Sequence, residues 1–260
     1  SPFDALPEPP PCPPGWHTGP PDFVILGAQK AGTTWWFRLI EAHPGVVQPE
    51  TQRPELHFFD RLTDTWPTAA DLAAYERYFP RPDGAMAGEK TPEYLSSPWV
   101  IPMLAEAAPR SKAIVLLRDP IDRTLSGRGH ALRGWRKSGK TFEQEPLADR
   151  NRLVTAAIAM SRYAPQVERV LRHFPRERVL ILQYERCVRD PQGELDRTYA
   201  FLGLPPHVLG EDELTRTRNA STGERVTISD EHVAVLVEEL LPDVRRLVEL
   251  VPDRKSTRLN

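Results

Sequence analysis

The sequence predicts an α/β fold: a single domain with a central, mainly parallel sheet flanked by helices and a phosphate-binding loop. Three observations carry this. Short unbroken apolar runs recur at 23–26, 113–117 and 179–182, the pattern of strands buried on both faces. Stretches with helical periodicity separate them, which argues for parallel strands covered on both sides. The first run leads directly into Gly27-Ala28-Gln29-Lys30-Ala31-Gly32-Thr33-Thr34, a loop bounded by glycines that opens a helix.

Taken in order, residues 1–21 hold a dense set of prolines. Missing amide donors disfavour helix there, so this segment is expected to be an extended leader outside the core. The domain is expected to span 22–252. Phe23-Val24-Ile25-Leu26 is the first strand, and a helix from Thr33 carries Trp36, Leu39 and Ile40 on one face until His43-Pro44-Gly45 stops it. Ala113-Ile114-Val115-Leu116-Leu117 is the second strand, followed by Arg118-Asp119-Pro120 and a helical stretch. Val179-Leu180-Ile181-Leu182 is the third. Further helices are predicted over 71–79, 98–107, 151–174 and 191–202. In the third of these, Tyr163, Val167, Val170, Leu171 and Phe174 share a face, and Leu195, Tyr199 and Leu202 do so in the fourth. Residues 133–150 are polar and broken, and are expected to form a surface loop near the mouth of a site. The last eight residues, DRKSTRLN, match the in-frame translation of a common sequencing-adapter oligonucleotide. They are expected to be non-native read-through and carry no weight below.

Composition narrows the function classes. A net charge of -2 over 260 residues gives no global basic field to attract nucleic acid. No apolar run approaches a membrane span, and no signal-peptide layout opens the chain. Cys12 and Cys187 lack metal-ligand spacing, so a disulfide framework and a metal site are not expected, and a cytoplasmic setting is.

The loop at 27–34 has a physical rationale for holding phosphate. A buried strand delivers it, glycine lets backbone approach an anion, and the helix N-terminus supplies free amides and a positive dipole end. A triphosphatase loop would place lysine directly after the second glycine; here that position is Thr33, and the lysine stands earlier, at Lys30. The alternative is a tight turn capped by Thr33.

The segment PDFVILGAQKAGTTWW resembles the donor 5′-phosphosulfate loop of sulfotransferases that use 3′-phosphoadenosine 5′-phosphosulfate (PAPS), closest to the glycosaminoglycan (heparan sulfate)-type branch and its bacterial relatives. Four more blocks follow in order. They are Arg53–Asp60 (RPELHFFD), Gly88–Leu95 (GEKTPEYL), Leu117–Ser126 (LRDPIDRTLS), and a helix–strand–helix stretch from Ser161 to Leu204. The resemblance implies transfer of a sulfuryl group from PAPS to a hydroxyl or amine, with PAP leaving and no metal required. It also implies an acceptor that is a carbohydrate or small molecule.

Roles follow residue by residue. Lys30 is the cation for charge building on the leaving phosphate oxygen. The stretch Lys30, Ala31, Gly32, Thr33, Thr34 and Trp35 holds the 5′-phosphosulfate through amides and hydroxyls. The resemblance assigns Arg118 and Ser126 to the donor's 3′-phosphate, a guanidinium fork plus a hydroxyl. The alternative for Arg118 is a structural ion pair with Asp122. The resemblance places the general base at Glu55 and favours Lys90 as a neutralising cation. His57 either orients that base, contacts the sulfuryl group, or is a core histidine bonded to backbone; it would share the side of Glu55 if the segment is extended. Glu89 stays outside the site. Thr222 and Gly223 stand where relatives place a lysine–glycine pair over the nucleotide, so that loop is expected to contact the donor without the lysine. The disulfide of animal enzymes near that loop is also absent. Trp66, Trp99 and Trp135 are each either a platform for stacking on sugar rings or a core or rim residue. The basic run Arg128, His130, Arg133, Arg136 and Lys137 is either an anion-facing patch or a solvated helix face. Two rival readings remain: a kinase-like phosphate-loop transferase, for which Asp119 could hold magnesium, and a non-catalytic nucleotide- or glycan-binding relative.

Overall fold

The computed structural model describes residues 6–47, 55–63, 65–139, 146–216 and 228–251, apart from the side chains of Trp135 and Arg150. Four parallel strands form one sheet in the order β2-β1-β3-β4: β1 is Phe23–Gly27, β2 Gly88–Lys90, β3 Lys112–Leu117 and β4 Val179–Gln183. Register pairs Phe23 with Gly88 on one side and with Lys112 on the other, and Ala113 with Val179 beyond. All five residues of β1 are buried, as an apolar run covered on both faces requires. β2 has no counterpart among the predicted strands. It is only Gly-Glu-Lys, and Gly88 is needed because the Phe23 ring fills the space a Cβ would take.

Helices α1 (Thr33–Glu41), α2 (Ala69–Glu76), α3 (Val100–Ala107), α4 (Pro120–Lys137), α5 (Leu147–Ala159), α6 (Ala164–His173), α7 (Tyr184–Arg189), α8 (Pro191–Leu202), α9 (Glu211–Thr215) and α10 (Asp230–Leu250) surround it. Trp36 on α1, Val167 and Val170 on α6, and Leu195 and Tyr199 on α8 are fully buried in one core.

Two expectations are corrected. The segment 133–150 is not a loop throughout, because α4 continues to Lys137 and α5 begins at Leu147. The helix expected over 151–174 is broken into α5 and α6. Pro165 opens α6, a position that proline tolerates, and Asp243 of α10 accepts hydrogen bonds from the amides of Tyr163 (2.7 Å) and Ala164 (3.1 Å). The element that supplies this cap, α10, buries Leu236, Leu240 and Val244 at helical spacing.

Residues 6–20 run along the domain. Tyr78 donates to the Pro7 carbonyl (2.6 Å), His17 and Arg81 bridge through their backbones, and the Arg81 guanidinium reaches the Pro20 carbonyl (2.9 Å) and Asp22 (3.0 Å). Among the described residues no helix is long and apolar enough to cross a membrane.

Candidate active site

Because the strands are parallel, their carboxyl ends lie along one edge of the sheet, where open α/β sheets bind ligands. β1 sits between β2 and β3, so the loop after Gly27 is flanked by Lys90, the last residue of β2, and Arg118, the first residue after β3. A cavity of about 270 Å³ opens there, walled by Lys30, Gly32 to Trp35, Glu55, Glu93, Arg118, Ser126, His130 and Tyr184 among others.

One wall is a cradle of cations and amides. Gly32 is the N-cap of α1 with no side-chain cap bond, so the turn is not one capped by Thr33. Helix geometry leaves the first-turn amides of α1 without carbonyl partners in the helix, and its dipole end faces the cavity. Gly32 has φ +83, and a Cβ there would lie 2.7 Å from the Tyr184 ring. Only glycine fits such a left-handed, crowded position. Lys30 also has positive φ (70), a conformation uncommon for a residue with a side chain. Two arginines hold it. Arg118 donates to the Lys30 carbonyl (3.3 Å), and Arg123, buried to 1% exposure, donates to the carbonyls of Gln29 (3.0 Å) and Ala157 (2.8 Å). Burial, then the charges of Arg133, Arg118 and Arg123, push the Lys30 ammonium below the ordinary lysine range, with Glu55 opposing. Arg118 lies over the Tyr184 ring (5.1 Å) and 3.8 Å from Asp122, so the ion pair exists at long range. Its Nε is nonetheless buried with no hydrogen-bond partner.

Ser126 and His130, one turn apart on α4, face the same cavity. Asp119 is committed to the start of that helix: its carboxylate accepts the amides of Ile121 (3.0 Å) and Asp122 (3.1 Å).

The opposite wall is a ladder of alternating charges. Lys90, fully buried, donates to Thr34 of the phosphate loop (3.0 Å) and pairs with Glu55 Oε1. Glu55 Oε2 lies 3.6 Å from His57 Nε2, and His57 Nδ1 meets Asp60 Oδ2 at 2.6 Å. The segment is not extended at His57, whose φ is 53, yet its ring still meets Glu55. The imidazole therefore bonds to carboxylates, and the reading of a core histidine tied to backbone is set aside. Burial pushes the Glu55 carboxyl up, but His57 and the adjacent Lys90 ammonium outweigh it and take it down to about 2. The bond to Asp60, then Glu55, holds His57 charged against burial, up to about 10.

Several residues here were not singled out from sequence. Asp60 anchors His57, and Tyr94 accepts the amides of Phe58 (2.9 Å) and Phe59 (3.4 Å), which fixes the backbone between them. Gln29 donates to Glu93 (2.5 Å), joining the phosphate loop to the segment after β2. Asp60 and Glu93 stand inside blocks already quoted, whereas Arg123 carries a charge that suggests surface, and no pattern marks it as buried. Glu89 is fully buried with Tyr75 and Thr91 as partners, a structural role. Trp66 is exposed and bonded to Glu106, Trp99 packs on the core, and neither lines the cavity. Thr222 and Gly223 lie outside the described residues, as does the side chain of Trp135. Ligand atoms of Glu55, His57 and Glu93 lie within 4.8 Å of one another, a composition that could hold a metal ion. Two of the three are already engaged, Glu55 with Lys90 and His57 with Asp60, so the cluster reads first as an acid–base constellation.

A strand–loop–helix phosphate cradle facing a paired carboxylate defines a class, an α/β protein with an anion site at the carboxyl edge of a parallel sheet. Comparison with known proteins makes this specific. Residues 20–226 match the model of the sulfotransferase domain, and the chain belongs to that family. It is similar to human heparan sulfate glucosamine 3-O-sulfotransferase 3B1, 34% identical over 71% of this chain and 46% of that protein. It is 35% identical to mouse heparan sulfate glucosamine 3-O-sulfotransferase 3A1, over 71% of this chain and 46% of that one. The chain thus spans about half the length of the curated relatives it matches. Among solved structures, a sulfotransferase from Alicyclobacillus acidocaldarius superposes with a TM-score of 0.66 at 26% identity, covering 91% of this chain and 97% of that one.

Proposed function

We propose that this chain is a PAPS-dependent sulfotransferase that delivers a sulfuryl group to a hydroxyl or amine of a carbohydrate acceptor. The observation that carries this is the position of Lys90, whose one ammonium touches both Thr34 of the phosphate loop and Glu55. An anion seated on the loop and a proton acceptor for the incoming group are thereby coupled through a single charge.

The residues fit the nucleotide. The buried, unpartnered Nε of Arg118 and the hydroxyl of Ser126 offer donors for the 3′-phosphate. Lys30 and the first-turn amides of α1 offer a cradle for the 5′ end. When bound, the nucleotide would supply the sulfuryl group, and its 5′-phosphate would be the leaving group, departing as part of PAP. Lys30 then stabilises charge on the departing phosphate oxygen. The acceptor oxygen or nitrogen bonds to sulfur, the bond from sulfur to that phosphate oxygen breaks, and the acceptor proton passes to Glu55. Bonded to His57 and paired with Lys90, Glu55 is a weak base, since a carboxyl near 2 has little affinity for a proton. A sulfuryl anion that draws Lys90 away lifts the part of this restraint that Lys90 supplies, and makes Glu55 more basic at the moment it is needed. His57, charged and anchored by Asp60, keeps Glu55 oriented. The carbohydrate assignment is supported by the relatives' heparan sulfate activity, and the kinase-like alternative is disfavoured because Thr33 stands where that loop places lysine and Asp119 Oδ1 caps α4.

The test is calorimetric binding of PAP against ATP with magnesium. PAP is expected to bind tightly and ATP weakly. Arg118→Ala should weaken PAP about 10- to 100-fold, the loss of a charge-assisted contact. Tighter binding of magnesium–ATP would sink the assignment.

A further inference from the structure

The mechanism uses Glu55, but a second carboxyl shares its cavity. Glu93 follows β2 by three residues, and its side chain forms part of the wall between Gln29 and Glu55. One oxygen is fixed: Oε1 accepts from Gln29 at 2.5 Å. The other, Oε2, is buried and has no hydrogen-bond partner. Its backbone is held firmly, since the hydroxyls of Ser96 and Ser97 both donate to the Glu93 carbonyl (3.0 Å each). A buried carboxylate oxygen left without a donor is costly unless a ligand supplies one.

Its neighbours limit what that donor can be. Carboxylate oxygens of Glu93 and Glu55 lie within 4.8 Å of each other and of the His57 ring nitrogen. Burial, then the charge of Glu55, raises the Glu93 carboxyl above the ordinary range, and a nearby donor would favour its ionised, accepting form. Two heteroatoms on adjacent ring carbons of a sugar stand about 3 Å apart, a hydrogen-bond length. They can therefore meet both carboxyls at once.

We propose that Glu93 is an acceptor-positioning residue: its free oxygen accepts a hydrogen bond from a hydroxyl or amine adjacent to the group that attacks sulfur. The acceptor class is then a vicinal diol or vicinal amino alcohol. Gln29 makes the arrangement sensitive to the donor, because the side chain that holds Glu93 belongs to the phosphate loop itself. This deepens the sulfotransferase reading and rests on it.

The experiment uses the full chain, PAPS labelled in its sulfur, and a panel of β-glucoside and β-glucosaminide oligosaccharides with their single-deoxy analogues. Glu93→Ala and Glu93→Gln are compared with the unaltered protein. PAP binding is measured first in both variants, because Glu93 also holds Gln29 of the phosphate loop. Binding that weakens less than about ten-fold shows folding and a usable donor side, and turnover is then compared at saturating PAPS. On the best acceptor, Glu93→Ala should lower kcat/KM about 10- to 100-fold, mainly through KM. The deoxy analogue lacking the neighbouring donor should cost the unaltered protein a similar factor and cost Glu93→Ala almost nothing more. Glu93→Gln keeps one carbonyl for Gln29 and turns its amide N–H towards the acceptor, so it should recover the loss only in part and only on hydroxyl acceptors, whose oxygen can accept. Additive losses, or an unchanged KM in Glu93→Ala, overturn the proposal. If PAP binds but no sugar is sulfated, the acceptor assignment falls while the donor site stands; if PAP does not bind, both fall.

Discussion

The two walls of the cavity solve opposite electrostatic problems. On the donor side, Lys30 stands with Arg118, Arg123 and Arg133, and burial, then their repulsion, lowers its proton affinity. On the acceptor side, Lys90, Glu55, His57 and Asp60 alternate in sign and neutralise one another. The first wall gathers positive charge that an anion would offset, whereas the second pairs its charges internally and leaves one oxygen each of Asp60 and Glu93 without a donor. On the proposed function, a nucleotide would offset that repulsion, and its anionic end would compete with Glu55 for Lys90.

The largest effect should come from breaking the acceptor wall at its base. Glu55→Gln is expected to reduce sulfuryl transfer about 10²- to 10⁴-fold while PAP affinity changes less than three-fold, measured by radiolabel transfer and calorimetry. A parallel loss of PAP binding would show that the two walls are not separable. Next, Lys30→Ala should cut turnover about 10²- to 10³-fold and leave thermal stability equal or higher, because a repelled charge has been removed. A melting temperature several degrees lower would instead make Lys30 a structural residue.

The smallest effect sharpens the comparison through pH. His57 is held charged in the folded state up to about 10, above its unfolded value of 6.5. Its contribution to stability is complete below pH 6.5 and disappears as pH rises towards 10. Glu55 behaves oppositely, contributing above pH 4.5 and losing that contribution as pH falls towards 2. Urea unfolding at pH 6.5 and 9.5 should show the unaltered protein losing about 1–3 kcal/mol more than Asp60→Asn over that interval. Equal losses would mean that the Asp60 bond does not set the His57 charge.

What the sequence made legible follows from what each feature needs. β1, β3 and β4 are apolar at nearly every position because both faces are covered, so their pattern is local and readable. The loop from Gly27 to Thr34 is readable for the same reason, since glycine and the helix start must stand at fixed places. β2 was hidden because its three residues carry two charges whose partners, Tyr75 for Glu89 and Glu55 for Lys90, lie far away in the chain. The break between α5 and α6 depends on Asp243, about 80 residues downstream, and no local periodicity encodes that. Lys30, Glu55, Lys90 and Arg118 could be nominated through the resemblance. Asp60, Gln29 and Glu93 emerge only when pairing distances are known, because an acidic or amide side chain in isolation looks like any solvated one.

The order of strands has a consequence for how such a protein can change. Nucleotide-facing groups come mainly from the turns after β1 and β3, whereas the groups facing the opposite wall come from segment 55–60 and the turn after β2. These are separate stretches of the gene, joined in space by few contacts such as the Gln29–Glu93 and Lys90–Thr34 bonds. On the proposed function, positions around Glu93 could change while Glu55, Lys90 and the first set are kept, so a lineage could exchange one acceptor for another and keep its donor.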